Sequence, residues 1–411
     1  MDMNDIFTLE EVLEAYYECR SNKRRTVNQL MFEAAYESNC VELWRDLNNG
    51  TYEIGRSITF IVTRPKMREV FAADFRDRVV HHIIIRRIGH LFEDVFIDDN
   101  YNCRKGKGTL YGVLRLKEKV RECSGDYTRD CWIGKFDMQG FFMTIHKPTL
   151  WKMLESFLRE RLPDGEFRLI APLVKQVVMH CPEKNCYRKS PLEMWNNIPA
   201  NKSLFSVGDD YGLPIGNLTS QIFANFYLHE FDVWMSGKFT WYGRYVDDFY
   251  VLAHDKDDIL NAIPEMRKFL REKVGVRLHP DKIYLQHYTK GCKFTGSVVK
   301  RERTYVGSTT VSNMMDKINE LGGWVADGRE PCLEEIEHFA CCLNSYFGFL
   351  KHHKTYSIRR KLVKTIGKEW WKYFYVSGHF DKISIIRKYR VTHAIKRKAH
   401  DIRNGVYYLK D

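Results

Sequence analysis

The chain contains no CxxC pair, no internal repeat, no low-complexity linker and no apolar run approaching the length of a membrane span. Each absence removes a class of protein. The eleven cysteines are scattered and odd in number. Cys181 and Cys186 enclose four residues and Cys341 adjoins Cys342, yet neither finds a second ligand pair at zinc-finger spacing. A zinc module and a secreted disulfide framework are therefore disfavoured, and reduced thiols in an intracellular setting are expected. The opening 1-MDMNDIFTLEE-11 is acidic where a secretory leader would be basic and then apolar. With no span-length segment, the expectation is a soluble, cytoplasmic protein that does not engage a membrane.

What is present is size, aromatic content and an uneven charge. At 411 residues the chain exceeds one simple core, so two or three coupled subdomains are expected. Its 44% hydrophobic and 14% aromatic content is enough to pack them, which argues against disorder. The net charge is +12, and residues 351–411 hold 17 Lys and Arg against Glu369, Asp381, Asp401 and Asp411, a net of +13. The first 350 residues thus sum to −1. The basic segment also carries Trp370, Trp371, Tyr373, Phe374 and Tyr375. A solvated basic tail would lack that apolar content, whereas cations interleaved with aromatics suit a nucleic-acid backbone.

Periodicity gives a mixed pattern. Residues 9–47 read mostly as helix, 51–63 as strand and 76–92 as helix. The run 131-CWIGKFD-137 reads as a short buried strand ending on an acid. Pro148 suits the first turn of the helix that follows, with Leu150, Leu154, Phe157 and Leu158 on one face. Residues 181–206, with three prolines, read as an irregular excursion, and 218–235 as a helix after the turn 212-GLPIGN-217. Strands are expected at 239–246, 249–253, 276–285 and 292–300, a helix at 257–273, and mainly helix from about residue 313. Helices interspersed with short antiparallel strands indicate an α+β fold.

The stretch 245-YVDDFYVLA-253 sets Asp247 and Asp248 side by side between aromatic and β-branched runs. A hairpin turn accounts for two adjacent aspartates with no further function. A metal site accounts for them if a third carboxylate joins, and Asp137 ends a strand whose antiparallel neighbour would bring the strand ends together. Three carboxylates raise one another's pKa unless divalent cations neutralise them. Mg²⁺ suits hard oxygen ligands shared with substrate phosphates, and two ions about 3.5–4 Å apart stabilise both the attacking and leaving oxygens of phosphoryl transfer.

The ordered series 64-RPKMREVFAADFRDRVVHH-82, 101-YNCRKGKG-108, 135-KFDMQGFF-142, 212-GLPIGNLTSQIFANFYL-228, 244-RYVDDFYVLA-253, 275-GVRLHPDKIYL-285 and 292-CKFTGSVV-299 resembles the motifs of reverse transcriptases. The resemblance implies a right-hand polymerase: residues 1–60 lead into the fingers, 61–300 form interleaved fingers and palm, and 301–411 form a basic, mainly helical thumb. It implies that Asp137, Asp247 and Asp248 bind two Mg²⁺ ions, with the Met138 carbonyl as a further ligand. Phe142 falls at the steric gate against a ribose 2′-hydroxyl; a core Phe is the plain alternative, with Phe141 beside it. Arg104 matches a residue that contacts the incoming triphosphate, aided by Lys107, with Lys66 and Arg68 reaching it from the fingers. Lys282 matches a lysine that protonates departing pyrophosphate, although a solvated surface lysine is its rival. Phe294 and Gly296 in 293-KFTGS-297 match the primer grip.

One departure narrows the resemblance. Where many reverse transcriptases have Gln before the Gly, this chain has Ile215-Gly216, and Gln221 stands where Pro is common. The form 215-IGNLTSQ-221 resembles reverse transcriptases of diversity-generating retroelements. That implies cDNA synthesis from a template-repeat RNA with errors opposite adenine, and an oligomeric, basic accessory variability protein as partner. The alternatives are another small bacterial reverse transcriptase of ordinary fidelity, intron-derived or defence-associated, and an inactive polymerase-fold protein that only binds nucleic acid. A viral RNA-dependent RNA polymerase is disfavoured by the Phe142 gate.

Overall fold

The computed structural model describes residues 6–21, 26–63 and 66–390, the side chains of 326–328 excepted. Most of the acidic opening, the first two residues of 64-RPKM-67 and the last third of the basic segment (391–411) lie outside the described residues. The chain divides into two compact units, Met1–His287 and Tyr288–Asp411.

In the first unit α1 (Leu9–Ser21), α2 (Val27–Glu33) and α3 (Tyr36–Asn49) precede β1 (Ser57–Val62) and β2 (Arg68–Ala72). The expected strand at 51–63 thus begins late. Asp77 takes the Tyr52 hydroxyl at 2.8 Å and the Gly55 amide at 3.0 Å, so this segment is fastened by one carboxylate in place of a ladder. Next comes α4 (Phe75–Glu93), capped by Asp74, whose side chain accepts from the Arg76 amide. Its Val79, Val80, Ile83, Ile84 and Ile88 are fully enclosed, which makes it the central helix of the unit. Burying each such side chain contributes about 1.5–3 kcal/mol. After α5 (Thr109–Cys123) and β3 (Trp132–Asp137), the one-turn α6 (Phe141–Thr144) leads into α7 (Lys147–Arg161) and α8 (Asp164–Met179). Pro148 sits in the first turn of α7, and Leu150, Leu154, Phe157 and Leu158 are its buried face, as the spacing predicts.

The excursion 181–206 contains only the short β4 (Cys186–Arg188) and 3₁₀ segments of one or two turns. The expected helix at 218–235 is two, α9 (Leu218–Tyr227) and α10 (His229–Lys238). The break falls at Leu228, where the His229 ring takes the Phe226 carbonyl at 2.6 Å. Then come β5 (Trp241–Tyr245), β6 (Asp248–Ala253), α11 (Lys256–Phe269) and β7 (Tyr284–His287). The strand expected at 276–285 begins only at Tyr284, because Pro280 lacks an amide and residues 277–279 pair with the end of β3. The central sheet is antiparallel throughout, in the order β5-β6-β3-β7; a second sheet has the order β2-β1-β4.

The second unit has its own core, built on Leu343, Phe347, Leu350, Leu362 and Trp370. A three-stranded antiparallel sheet, β8 (Cys292–Phe294), β9 (Ser297–Val299) and β10 (Thr304–Val306), precedes α12 (Ser308–Gly322), α13 (Leu333–Leu350) and α14 (Tyr356–Thr365). A hairpin, β11 (Phe374–Ser377) with β12 (Lys382–Ile385), follows where mainly helix was expected. The β-branched and aromatic residues of 374-FYVS-377 and 382-KISI-385 carried that signal. The α+β expectation holds: sheets and helices are both present, and among the strands named here the pairing is antiparallel except between β1 and β4.

Candidate active site

Three carboxylates meet at one end of the central sheet. β3 and β6 pair with Asp137 directly opposite Asp248, and β5 reaches the same end with Tyr245 opposite Asp248. Val246 and Asp247 form the two-residue connection between β5 and β6, with Val246 at φ 59°. That left-handed region is a poor place for a β-branched residue, and hairpin turns usually put glycine or asparagine there. The Met138 amide donates to the Asp247 carbonyl at 3.1 Å, and the His279 amide to the Asp137 carbonyl at 2.8 Å. The end of β3 is thereby fixed from both sides, and Met138 is buried between them.

Two of the three acids already have an ammonium beside them. Burial, reinforced by the neighbouring Asp137 and Asp248 carboxylates, pushes Asp247 up to about 6. Burial also raises Asp248, while the Lys135 cation pulls it back. Lys282 donates to Asp137 Oδ1 at 2.6 Å. The Lys135 ammonium forms an ion pair with Asp248 Oδ1 at 2.9 Å. Clustered acids, with Asp247 and Asp248 raised by burial, fit a hard divalent cation such as Mg²⁺. With Asp137 turned to Lys282 and Asp248 to Lys135, the three carboxylates do not close into one tight ligand cluster. The trio among the described residues whose ligand atoms all lie within 4.8 Å is Cys181, Glu183 and Asp209. Lys147 reaches Cys181 Sγ at 3.3 Å and Lys184 pairs with Asp209, so two ammonium groups already stand at that trio.

Other expected residues divide into two groups. Arg68 opens β2, is exposed, and lies close enough for its charge to draw Asp247 and Tyr245 downward against the larger effect of burial. Lys66 is exposed just before it. β2 also touches the 212–217 turn: the Phe71 amide donates to the Ile215 carbonyl at 2.8 Å. Gly216 has φ 128°, and a Cβ there would stand 2.7 Å from the Phe71 carbonyl oxygen, so only glycine fits. Ile215 packs beside Phe71, Met143 and Leu204, and Gln221 accepts from the Asn102 side chain at 3.2 Å. Phe142 is half-buried whereas Phe141 is fully in the core, which separates the two candidates for the gate position.

Arg104 and Lys107 are used differently. Arg104 pairs with Glu93 at 2.7 Å, donates to the carbonyls of Ile97 and Asn100, and has a side chain only 7% exposed. Lys107 holds Asp98 at 2.7 Å. Both fold their loop onto itself. In the second unit, Phe294 is buried at the end of β8 and Thr295-Gly296, both with positive φ, turn the chain into β9. The reading of sequence missed Lys135, Glu69 and Arg244. Glu69 is a buried carboxylate that gathers Trp195, Ser203 and the Leu204 amide, tying the 181–206 excursion to β2. Arg244 is a charged residue inside an aromatic strand, and that contrast was its signal.

A family model described as reverse transcriptase (RNA-dependent DNA polymerase) matches residues 63–299. Protein YkfC of Escherichia coli is 23% identical over 324 residues, covering 69% of this chain and 77% of that protein. A putative COX1/OXI3 intron 2 protein of Saccharomyces cerevisiae is 19% identical over 361 residues, covering 72% of this chain but only 38% of its own length. Among solved structures, apo telomerase from Candida tropicalis, truncated from its C-terminal domain, is similar at 12% identity with a TM-score of 0.45. That likeness covers 62% of this chain and 55% of the telomerase chain.

Proposed function

The chain belongs to the reverse transcriptase family and has its α+β, right-hand polymerase fold, and from that premise we propose that it is an RNA-directed DNA polymerase. The observation that carries this reading is the convergence of Asp137, Asp247 and Asp248 at the β3–β6 end, with Asp247 pushed up to about 6 by burial and by its two acidic neighbours. Template RNA, a primer and dNTPs are the substrates. Asp137, Asp247, Asp248 and the Met138 carbonyl would hold two Mg²⁺ ions, which supply charge stabilisation for the attacking and leaving oxygens. The primer 3′-hydroxyl attacks the α-phosphate in line, and pyrophosphate leaves. Lys282, exposed and adjacent to Asp137, donates a proton to the departing pyrophosphate. Arg68 and Lys66 grip the triphosphate, and their exposure supports that role. Arg104 and Lys107 serve the triphosphate through the loop they brace, unless Arg104 exchanges Glu93 for phosphate. Half-buried Phe142 excludes a ribose 2′-hydroxyl. Phe294 and Gly296 shape the primer grip.

The fingers occupy 61–300 together with the palm, entered from a helical extension at 1–60, and the thumb occupies 301–411. Within the thumb, Arg360, Lys361 and Lys364 are exposed on α14, whereas Arg359 is buried against Asp381. The template–primer backbone would therefore meet the first three. The subtype we favour is the error-prone enzyme of a diversity-generating retroelement, cytoplasmic and working with an oligomeric accessory variability protein. Its support is 215-IGNLTSQ-221: an apolar Ile215 packed on Phe71 offers no side-chain hydrogen bond, so selection of the nucleotide relies on shape. Among the described residues no helix is long and apolar enough to cross a membrane.

Primer extension on an RNA template containing all four bases, followed by sequencing of the cDNA, tests both levels. Copying with errors concentrated opposite adenine is expected. Faithful copying would retain the polymerase and remove the subtype; no copying, even with the accessory protein and native RNA supplied, would remove both.

A further inference from the structure

The turn that presents Asp247 and Asp248 has an unfavourable backbone conformation, and one buried cation is hydrogen-bonded to it. Arg244 and Asp232 are both almost wholly enclosed. The guanidinium spans the carboxylate, Nε to Oδ1 at 2.6 Å and Nη2 to Oδ2 at 2.5 Å. Its remaining nitrogen, Nη1, donates to the Val246 carbonyl at 2.7 Å. That carbonyl belongs to the peptide entering Asp247, and Val246 itself is the residue with φ 59°. Asp232 is held in turn by the Tyr242 hydroxyl at 2.6 Å and by Asn100 at 3.3 Å. The Arg244 backbone is fixed as well: its amide donates to the Asp99 carbonyl and its carbonyl accepts from the Tyr101 amide.

A buried ion pair gives little net stability compared with an apolar pair of the same size. It does impose geometry, since a planar guanidinium can serve the carboxylate and the turn carbonyl only in one orientation. We propose that Arg244, oriented by Asp232, is the positioning residue of the catalytic turn: it holds the Val246 peptide in the left-handed conformation that aims Asp247 and Asp248 at the metal-binding end of the sheet. This rests on the polymerase reading above and adds to it a residue that touches neither substrate nor metal.

Lysine at 244 would still neutralise Asp232 but, as a point charge, would not bridge it to the Val246 carbonyl. In the full chain, Arg244→Lys is expected to weaken binding of Mn²⁺ alone, followed by its electron paramagnetic resonance signal, by about ten- to a hundredfold, the range for residues that orient metal ligands. Primer extension should lose kcat with little change in the KM for dNTP. Adding Val246→Gly should restore much of the Mn²⁺ affinity, because glycine adopts the left-handed φ without help. A residue that served stability alone would not be rescued at the turn. Unchanged Mn²⁺ affinity in Arg244→Lys, or no rescue by Val246→Gly, overturns the proposal. Should Arg244→Lys fail to fold, Tyr242→Phe loosens Asp232 without altering packing; it should weaken Mn²⁺ several-fold, and an unaltered affinity there also overturns the proposal. Wild-type protein that neither binds Mn²⁺ nor extends a primer removes the polymerase reading itself, and this inference with it.

Discussion

The β5–β6 turn and the 103-CRKGKG-108 loop are both short, charged and conspicuous in the sequence, and folding treats their charges differently. At the turn, acids are crowded together, and burial raises Asp247 and Asp248 even though Lys135 lies 2.9 Å from Asp248. In the loop, Arg104 is enclosed by Glu93 and two carbonyls, and Lys107 by Asp98. A charge with few partners in the fold is the more readily given to a ligand, a difference of degree, since Asp137 and Asp248 also have a lysine beside them. By that criterion exposed Arg68 resembles the turn more than Arg104 does.

The largest effect is expected where the contrast is sharpest. Asp248→Ala should reduce primer extension by about a thousandfold or more, yet the metal-free protein should melt no lower than wild type, since a repelled carboxylate has been removed. A large drop in Tm would make Asp248 a structural residue and break the comparison. Next come the two arginines. Arg68→Ala should raise the KM for dNTP about tenfold, equivalent to one charge-assisted contact, with Tm unchanged. Arg104→Ala should lower Tm by roughly 5 °C, from the loss of charged hydrogen bonds. The reverse pattern would return the triphosphate to Arg104.

The same division applies within α14. Replacing Arg360, Lys361 and Lys364 together with Gln should flatten the dependence of template–primer affinity on salt by about two to three units of logarithmic slope, without altering nucleotide choice. Arg359→Gln, which breaks the pairing of enclosed Arg359 with exposed Asp381, should cost stability and leave that slope alone. Smallest is the effect of pH on the metal-free protein. Asp247 is raised in the folded state, from 3.8 to about 6. The folded chain therefore holds a proton that the unfolded chain has lost, and stability should fall as pH rises from about 4 to 6. Denaturant titrations should show this slope, and Asp247→Asn should remove it; an unchanged slope in the variant would place the titration elsewhere.

Legibility followed locality. The strand that ends on Asp137 and the one that begins at Asp248 were readable because short runs of aromatic and β-branched residues mark a buried strand within six residues. The α10 start was not, because it depends on a His229 ring reaching back to one carbonyl. Nor was the late start of β7, where Pro280 signalled a break but the pairing of 277–279 with β3 depends on distant backbone. The hairpin at 374–385 was hidden by the basic composition around it.

The sequence by itself determined the α+β class, the family and the acids that converge, since these reside in residue identity, periodicity and the order of motifs. Tertiary structure alone decided which charges remain available. Arg104, Arg359 and Arg68 are the same side chain, and nothing local distinguishes them. What separates them is whether a carboxylate from another segment arrives to pair with them, and that depends on long-range packing that desolvates some ions and leaves others in water.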